Sequence, residues 1–130
     1  NKTGTQFISE ATDLNHASDE QYDFVISSHC LEHVANPMKA VEEWLRVRKP
    51  RGPLELVLPN KPCCCDHKRP TTPSSLLLED YRNDTTEADL THLEEIMALR
   101  DLSMDKPAGT PEQFRARSIK NYENRALKMV

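Results

Sequence analysis

Tyr22-Asp23-Phe24-Val25-Ile26-Ser27-Ser28 is the stretch on which the fold turns. Its centre, Phe24–Ile26, is continuously apolar, the pattern of a strand covered on both faces, as in a parallel sheet. Downstream, Asn36-Pro37 opens a helix: the asparagine side chain can accept from free backbone N–H groups, and proline is preset for the first helical position. Met38, Val41, Trp44, Leu45 and Arg48 recur at three- and four-residue spacing, which predicts one mostly apolar face with Glu42, Glu43 and Arg46 turned outward. Lys49-Pro50-Arg51-Gly52-Pro53 ends the helix, and Leu54–Leu58 forms the next strand, stopped by Pro59. Strand, helix, turn and strand make a βαβ unit, with parallel strands and a right-handed crossover expected. The fold class is therefore α/β.

Gln6–Ser9 is expected as a short strand upstream of this unit. Beyond Pro59 the chain becomes proline-punctuated and helix-rich, with no further strand apparent. Thr72-Pro73 opens a helix containing Leu76, Leu77, Leu78 and Tyr81, and a second helix is predicted over Asp89–Leu99, with Leu90, Leu93, Ile96 and Met97 on one face. Thr110-Pro111-Glu112-Gln113 joins a cap, a first-turn proline and a glutamine in the capping-box position, and so opens a third. The expected division is residues 1–60 as an α/β core segment and 61–130 as a helical insertion or substrate lid.

A chain of 130 residues buries one modest core. Its net charge of -4 excludes nucleic acid as the expected partner. The basic run Arg115, Arg117, Lys120, Arg125 and Lys128, with Glu123 among it, reads as a solvated helix face. Phe24–Ile26 and Leu54–Leu58 are too short to cross a bilayer, and the first residues are polar, so a cytoplasmic protein without membrane association is expected. Cys30 and the consecutive Cys63–Cys65 lack the spacing of a disulfide scaffold, and reduced thiols are expected.

Three motifs in register carry a family resemblance: Glu10-Ala11-Thr12-Asp13-Leu14, then Tyr22 through Pro37 with His29-Cys30-Leu31-Glu32-His33-Val34 at its centre, then Trp44-Leu45-Arg46-Val47-Arg48-Lys49-Pro50-Arg51-Gly52. In order and spacing they resemble the middle of class I S-adenosylmethionine-dependent methyltransferases of the type 11 kind. The resemblance implies a partial Rossmann-like sheet, S-adenosylmethionine as cofactor and a small-molecule acceptor. It places Glu10 and Ala11 beside the adenine, Leu14 packing nearby, and Ser28 and His29 beside the cofactor's methionine and the substrate. Asp66 through Pro73, Glu79-Asp80-Tyr81 and Asp89 through Glu95 resemble an insertion in one bacterial-type branch. The departures are informative too. Arg51 stands where the family prefers glycine, and Arg48 where it prefers an apolar residue. The family's glycine-rich GxGxG loop is expected before Gln6 and its closing antiparallel strands after Val130, while Gly4, Gly52 and Gly109 are too dispersed to form such a loop. Without that loop the methionine carboxylate and the ribose hydroxyls lack their usual partners, so these 130 residues are expected to be inactive alone.

His29, His33 and His67 are the candidate general bases, because imidazole titrates near neutrality, and Asp66 could orient His67 or meet substrate directly. His29-Cys30-Leu31-Glu32-His33 also spells H-x-x-E-H, a zinc-protease signature. That motif needs both histidines on one helical turn, whereas this run follows a strand, so no metal is expected. Cys63-Cys64-Cys65-Asp66-His67 reads as a loop whose adjacent thiols cannot converge on one tetrahedral ion, although Lys61 and Lys68 could favour one exposed thiolate. Two functional readings stand: a methyltransferase, or a non-catalytic interaction module derived from one. A two-stranded parallel sheet beside an orphan strand leaves unpaired edges, so a homo-oligomer is expected.

Overall fold

The structure, a computed structural model, describes residues 4–126, with residues 106 and 122–126 described in their backbone alone. It divides into two compact units, Asn1–Leu58 and Pro59–Val130.

The first unit is built on two parallel strands, β1 (Val25–Ser28) and β2 (Leu54–Val57), paired Val25 to Leu54 through Ser28 to Val57. Helix α1 (Pro37–Val47) connects them after a single 3-10 turn at Leu31–His33. The expected βαβ unit is thus present. Asn36, fully buried, starts α1 by accepting the Lys39 N–H on its side-chain oxygen at 3.1 Å, and Pro37 occupies the first turn. The helix end is tied back to β1's approach: Tyr22 N–H donates to the Val47 carbonyl at 2.9 Å, and Lys49 N–H donates to the Tyr22 carbonyl at 2.8 Å.

Three expectations about this unit are corrected. Gln6–Ser9 forms no strand; residues 4–10 have no regular structure, and Ile8 is almost wholly exposed. A strand is a pairing, and this segment has no strand partner among the described residues. Second, β1 is covered on one face only: Ser27 is buried, while Phe24 and Ile26 are each 58% exposed. Third, the inner row of α1 is Ala40, Trp44 and Val47, whereas Met38 and Leu45 are exposed. Glu43 and Arg46 are drawn in rather than turned to water, for a reason given below.

The turn from α1 to β2 is tight. A side chain at Gly52 would place its first carbon 2.2 Å from the Asp23 carbonyl oxygen. The preceding Arg51 has φ +67°, a left-handed conformation that glycine adopts without cost and other residues do not. Arg48 stabilises this turn by donating from Nη1 to the carbonyl of Lys49 at 3.1 Å and to that of Gly52. The two departures from the family pattern therefore sit in one turn.

The second unit has no strand among its described residues and three helices, α2 (Ser74–Arg82), α3 (Leu93–Leu99) and α4 (Pro111–Ala126). Helix α2 starts one residue past Pro73, which stays extended. Helix α3 is shorter than its apolar pattern, because Asp89 accepts the Thr91 N–H at 3.0 Å and closes an Asx turn that competes with helix. Helix α4 starts as expected: Thr110 N–H donates to Gln113 Oε1 at 3.0 Å, and Gln113 N–H donates to Thr110 Oγ1 at 3.3 Å, a reciprocal capping box.

Arg100 organises this unit. Its guanidinium pairs with Asp66 at 3.1 Å and Asp105 at 2.7 Å and lies 5.2 Å from the centre of the Phe114 ring. The expected basic face is partly used internally, since Arg115 pairs with Glu94 at 2.7 Å and Arg117 donates to the Pro107 carbonyl at 2.8 Å. Lys128 lies outside the described residues, as do the side chains of Glu123 and Arg125. No helix among the described residues is long and apolar enough to cross a membrane.

Candidate cofactor and substrate site

In an open parallel sheet, ligands gather at the carboxyl ends of the strands. Ser28 is the last residue of β1, and His29 follows it with φ +50°. Its N–H donates to the Val57 carbonyl at 2.9 Å, which extends the ladder by one bond and then turns the chain away from the sheet. The imidazole is 61% exposed, with Nδ1 3.4 Å from Glu32 Oε1, and the same oxygen lies 3.9 Å from His33 Nε2. One carboxylate thus stands between two imidazoles. Nδ1 is thus the nitrogen of His29 that faces the acid. Only Leu31–His33 is helical here and His29 precedes it, so the two histidines do not share the helical turn that the zinc-protease motif requires. Among the described residues, no group of three or more His, Cys, Asp or Glu could hold a metal ion.

Glu10 and Ala11 lie on a turn closed by the Asp13 N–H donating to the Glu10 carbonyl at 3.2 Å, and Leu14 opens the next, closed by the Ala17 N–H donating to its carbonyl at 2.9 Å. Glu10 is exposed; Ala11 and Leu14 are half-buried. Leu14 is gripped by α1: its N–H donates to Glu43 Oε2 at 3.0 Å, and its carbonyl accepts from Arg46 Nη2 at 3.1 Å. Arg46 also donates to Glu43 Oε1 at 2.7 Å, to the Ala17 carbonyl at 3.1 Å and to Asp19 at 2.7 Å. The guanidinium hydrogen bonds hold the Glu43 carboxyl below the usual range and push Arg46 up. Beside this turn Phe7 stacks on His16, ring centres 4.1 Å apart. The sequence reading missed Glu43 and Arg46; the available signal was an acid and a base three residues apart on one helix face.

A family model described as a methyltransferase domain matches residues 2–56. This segment is thus similar to a methyltransferase domain of the class I S-adenosylmethionine-dependent type. No curated protein and no solved structure matches the chain. The small parallel sheet with its connecting helix fits the partial Rossmann-like fold of that family.

Outside the matched segment, the structure separates Asp66 from His67 although they are neighbours in sequence. Asp66 Oδ2 pairs with Arg100, and its other oxygen is buried without a partner. His67 instead sets Nδ1 3.0 Å from the Cys64 carbonyl and Nε2 3.8 Å from Asp101. Asp101 is itself committed: the Ser103 hydroxyl, and then Lys68, lower its carboxyl to about 2. Asp66 therefore does not orient His67, and both ring nitrogens of His67 face protein groups. Of the lysines expected to favour a thiolate, Lys68 pairs with Asp101 at 3.0 Å and Lys61 donates to Thr71 at 3.3 Å, while burial pushes the Cys65 thiol up. The matched segment thus carries Glu10, Ala11, Leu14, Ser28, His29 and His33, and the second unit carries Asp66 and His67.

Proposed function

We propose that the first unit forms part of an S-adenosylmethionine site, with Glu10, Ala11 and Leu14 bordering the adenine and with Ser28 and His29 bordering the methionine and a small-molecule acceptor. The observation that carries this reading is His29: an exposed imidazole at the carboxyl end of a parallel strand, in a segment that matches a methyltransferase domain. The cofactor, when bound, supplies an electrophilic methyl group for in-line displacement, which is promoted mainly by holding donor and acceptor aligned. His29, with Nδ1 toward Glu32, removes the proton from an acceptor that must shed one. His33 is the alternative base in this unit; Asp66 and His67, engaged with protein groups, are weaker candidates in the second. That unit takes the role of a substrate lid by resemblance alone.

Methyl transfer is assigned to the complete domain, and the 130 residues alone are inactive in this reading, because their three glycines do not supply the loop that holds the methionine carboxylate. Two measurements test it. Isothermal titration with S-adenosylmethionine should show no tight binding, and tight binding would overturn the assigned need for that loop. In the ¹⁵N-labelled chain, millimolar S-adenosylmethionine should shift the amides of Glu10, Ala11 and Leu14, and unmoved amides there would overturn the adenine assignment.

A second reading is favoured by a separate observation. Phe24, Ile26 and Leu58 are more than half exposed on or beside a sheet of two strands. Such a sheet is stabilised by pairing or covering, which supports a self-associating, non-catalytic module. Sedimentation at micromolar concentration should then show an oligomer, and a stable monomer would count against this reading. Free thiols at Cys30 and Cys63–Cys65 suit a reducing compartment, and the cytoplasm is the proposed location.

A further inference from the structure

The turn that carries Leu14 is held from a distance in sequence by two side chains of α1. Glu43 takes the Leu14 N–H at 3.0 Å, and Arg46 supplies donors to the Leu14 and Ala17 carbonyls, both at 3.1 Å. The two side chains also brace each other, through Arg46 Nε to Glu43 Oε1 at 2.7 Å and Nη2 to Glu43 Oε2 at 2.8 Å. A planar guanidinium fixes several acceptors in one geometry, which the single rotating ammonium of lysine does not. A surface salt bridge that joined only Glu43 and Arg46 along one helix would be worth little. Here both groups are largely withdrawn from water, with side-chain exposures of 19% and 30%, and both polar atoms of the Leu14 backbone meet them, the carbonyl also accepting the Ala17 N–H at 2.9 Å.

We infer that Glu43 and Arg46 are positioning residues for the cofactor site: they preform the turn bearing Leu14, so that the wall facing the adenine stands before the ligand arrives. The word cofactor in this inference rests on the function proposed above; the preforming of the turn does not. Preorganisation of this kind raises affinity by removing the cost of ordering a segment on binding.

The test uses the full 130-residue chain, ¹⁵N-labelled, with two readouts: amide hydrogen exchange, and the shifts induced by S-adenosylmethionine at Glu10, Ala11 and Leu14. In Arg46→Met, exchange protection at Leu14 and Ala17 should be lost while the amides of β1 and β2 keep theirs. The apparent affinity read at Glu10–Leu14 should weaken about tenfold, as when the binding-competent population falls to a tenth. Arg46→Lys should resemble Arg46→Met, since it keeps the charge and loses the fork. Glu43→Gln, which keeps an acceptor for the Leu14 N–H, should retain more protection than either. Unchanged protection at Leu14 in Arg46→Met overturns the inference. So does full restoration by lysine, or a loss that spreads through β1 and β2. If the unsubstituted chain shows no ligand-induced shifts, the proposed cofactor site fails, while the exchange data still decide whether this pair preforms the turn.

Discussion

Trp44→Ala is expected to unfold the first unit. Removing a buried tryptophan costs about 3–5 kcal/mol, from lost transfer energy and from the cavity left behind. Among the described residues, the buried apolar side chains of this unit are Ala17, Ala40, Trp44 and Val47, so the indole supplies most of the bulk of that core. A domain's whole stability is about 5–15 kcal/mol, and short segments lie at the low end or below it. Trp44 is the single tryptophan, so its fluorescence disappears with the substitution. Far-UV circular dichroism and amide exchange at Val25–Ser28 are the measurements of choice: the β1 amides should lose protection throughout. Leu45→Ala, at a neighbouring position that is 44% exposed, should change stability by less than about 0.5 kcal/mol. Retained protection in Trp44→Ala would show that the core lies elsewhere.

Gly52→Ala should be the next most damaging change, and its neighbour should respond with the opposite sign. The added methyl carbon would meet the Asp23 carbonyl oxygen at 2.2 Å and the Lys49 carbonyl at 3.1 Å. Backbone cannot move aside as a flexible side chain does, and this backbone is pinned by Lys49 N–H to Tyr22 at 2.8 Å and Val25 N–H to Pro53 at 3.1 Å. A cost of about 3 kcal/mol, the upper end for overpacking, is expected. Arg51→Gly relieves a left-handed conformation that costs a residue with a side chain about 1–2 kcal/mol. Against this stands about 0.5–1 kcal/mol for the added freedom of glycine in the unfolded chain. A net gain approaching about 1 kcal/mol should appear as a higher urea midpoint with unchanged slope. Loss of stability in both variants would show that Arg51 contributes contacts that outweigh its backbone strain.

The βαβ unit was legible because each of its parts is a local signal: an apolar run, a cap with proline, a three-four periodicity, a proline-glycine stop. The capping box of α4 was legible for the same reason, since both of its hydrogen bonds join residues in one turn. Gln6–Ser9 was not, because strand formation depends on a partner that no local pattern reports. Glu43 and Arg46 escaped the helical periodicity for a related reason: a helix wheel turns every charge outward unless a distant segment supplies backbone groups to meet it. The start of α3 was misplaced because an Asx turn at Asp89 satisfies the same backbone groups that a helix would. In the site, Glu10, Ala11, Leu14, Ser28 and His29 were singled out by family resemblance rather than by any physical pattern. Asp66 and His67 show the limit of adjacency, since consecutive side chains here face Arg100 and Asp101 respectively.

The left-handed backbone at His29 limits which residues can occupy that position. Bulky and β-branched side chains are strongly disfavoured there, while glycine, asparagine, aspartate and histidine tolerate it. The repertoire open to mutation at this strand end is therefore narrow: a base, an amide, an acid or a bare backbone. Divergence at this position can proceed by exchange within that set without rebuilding the sheet. The fold admits another short polar group at this position more readily than a bulky apolar one.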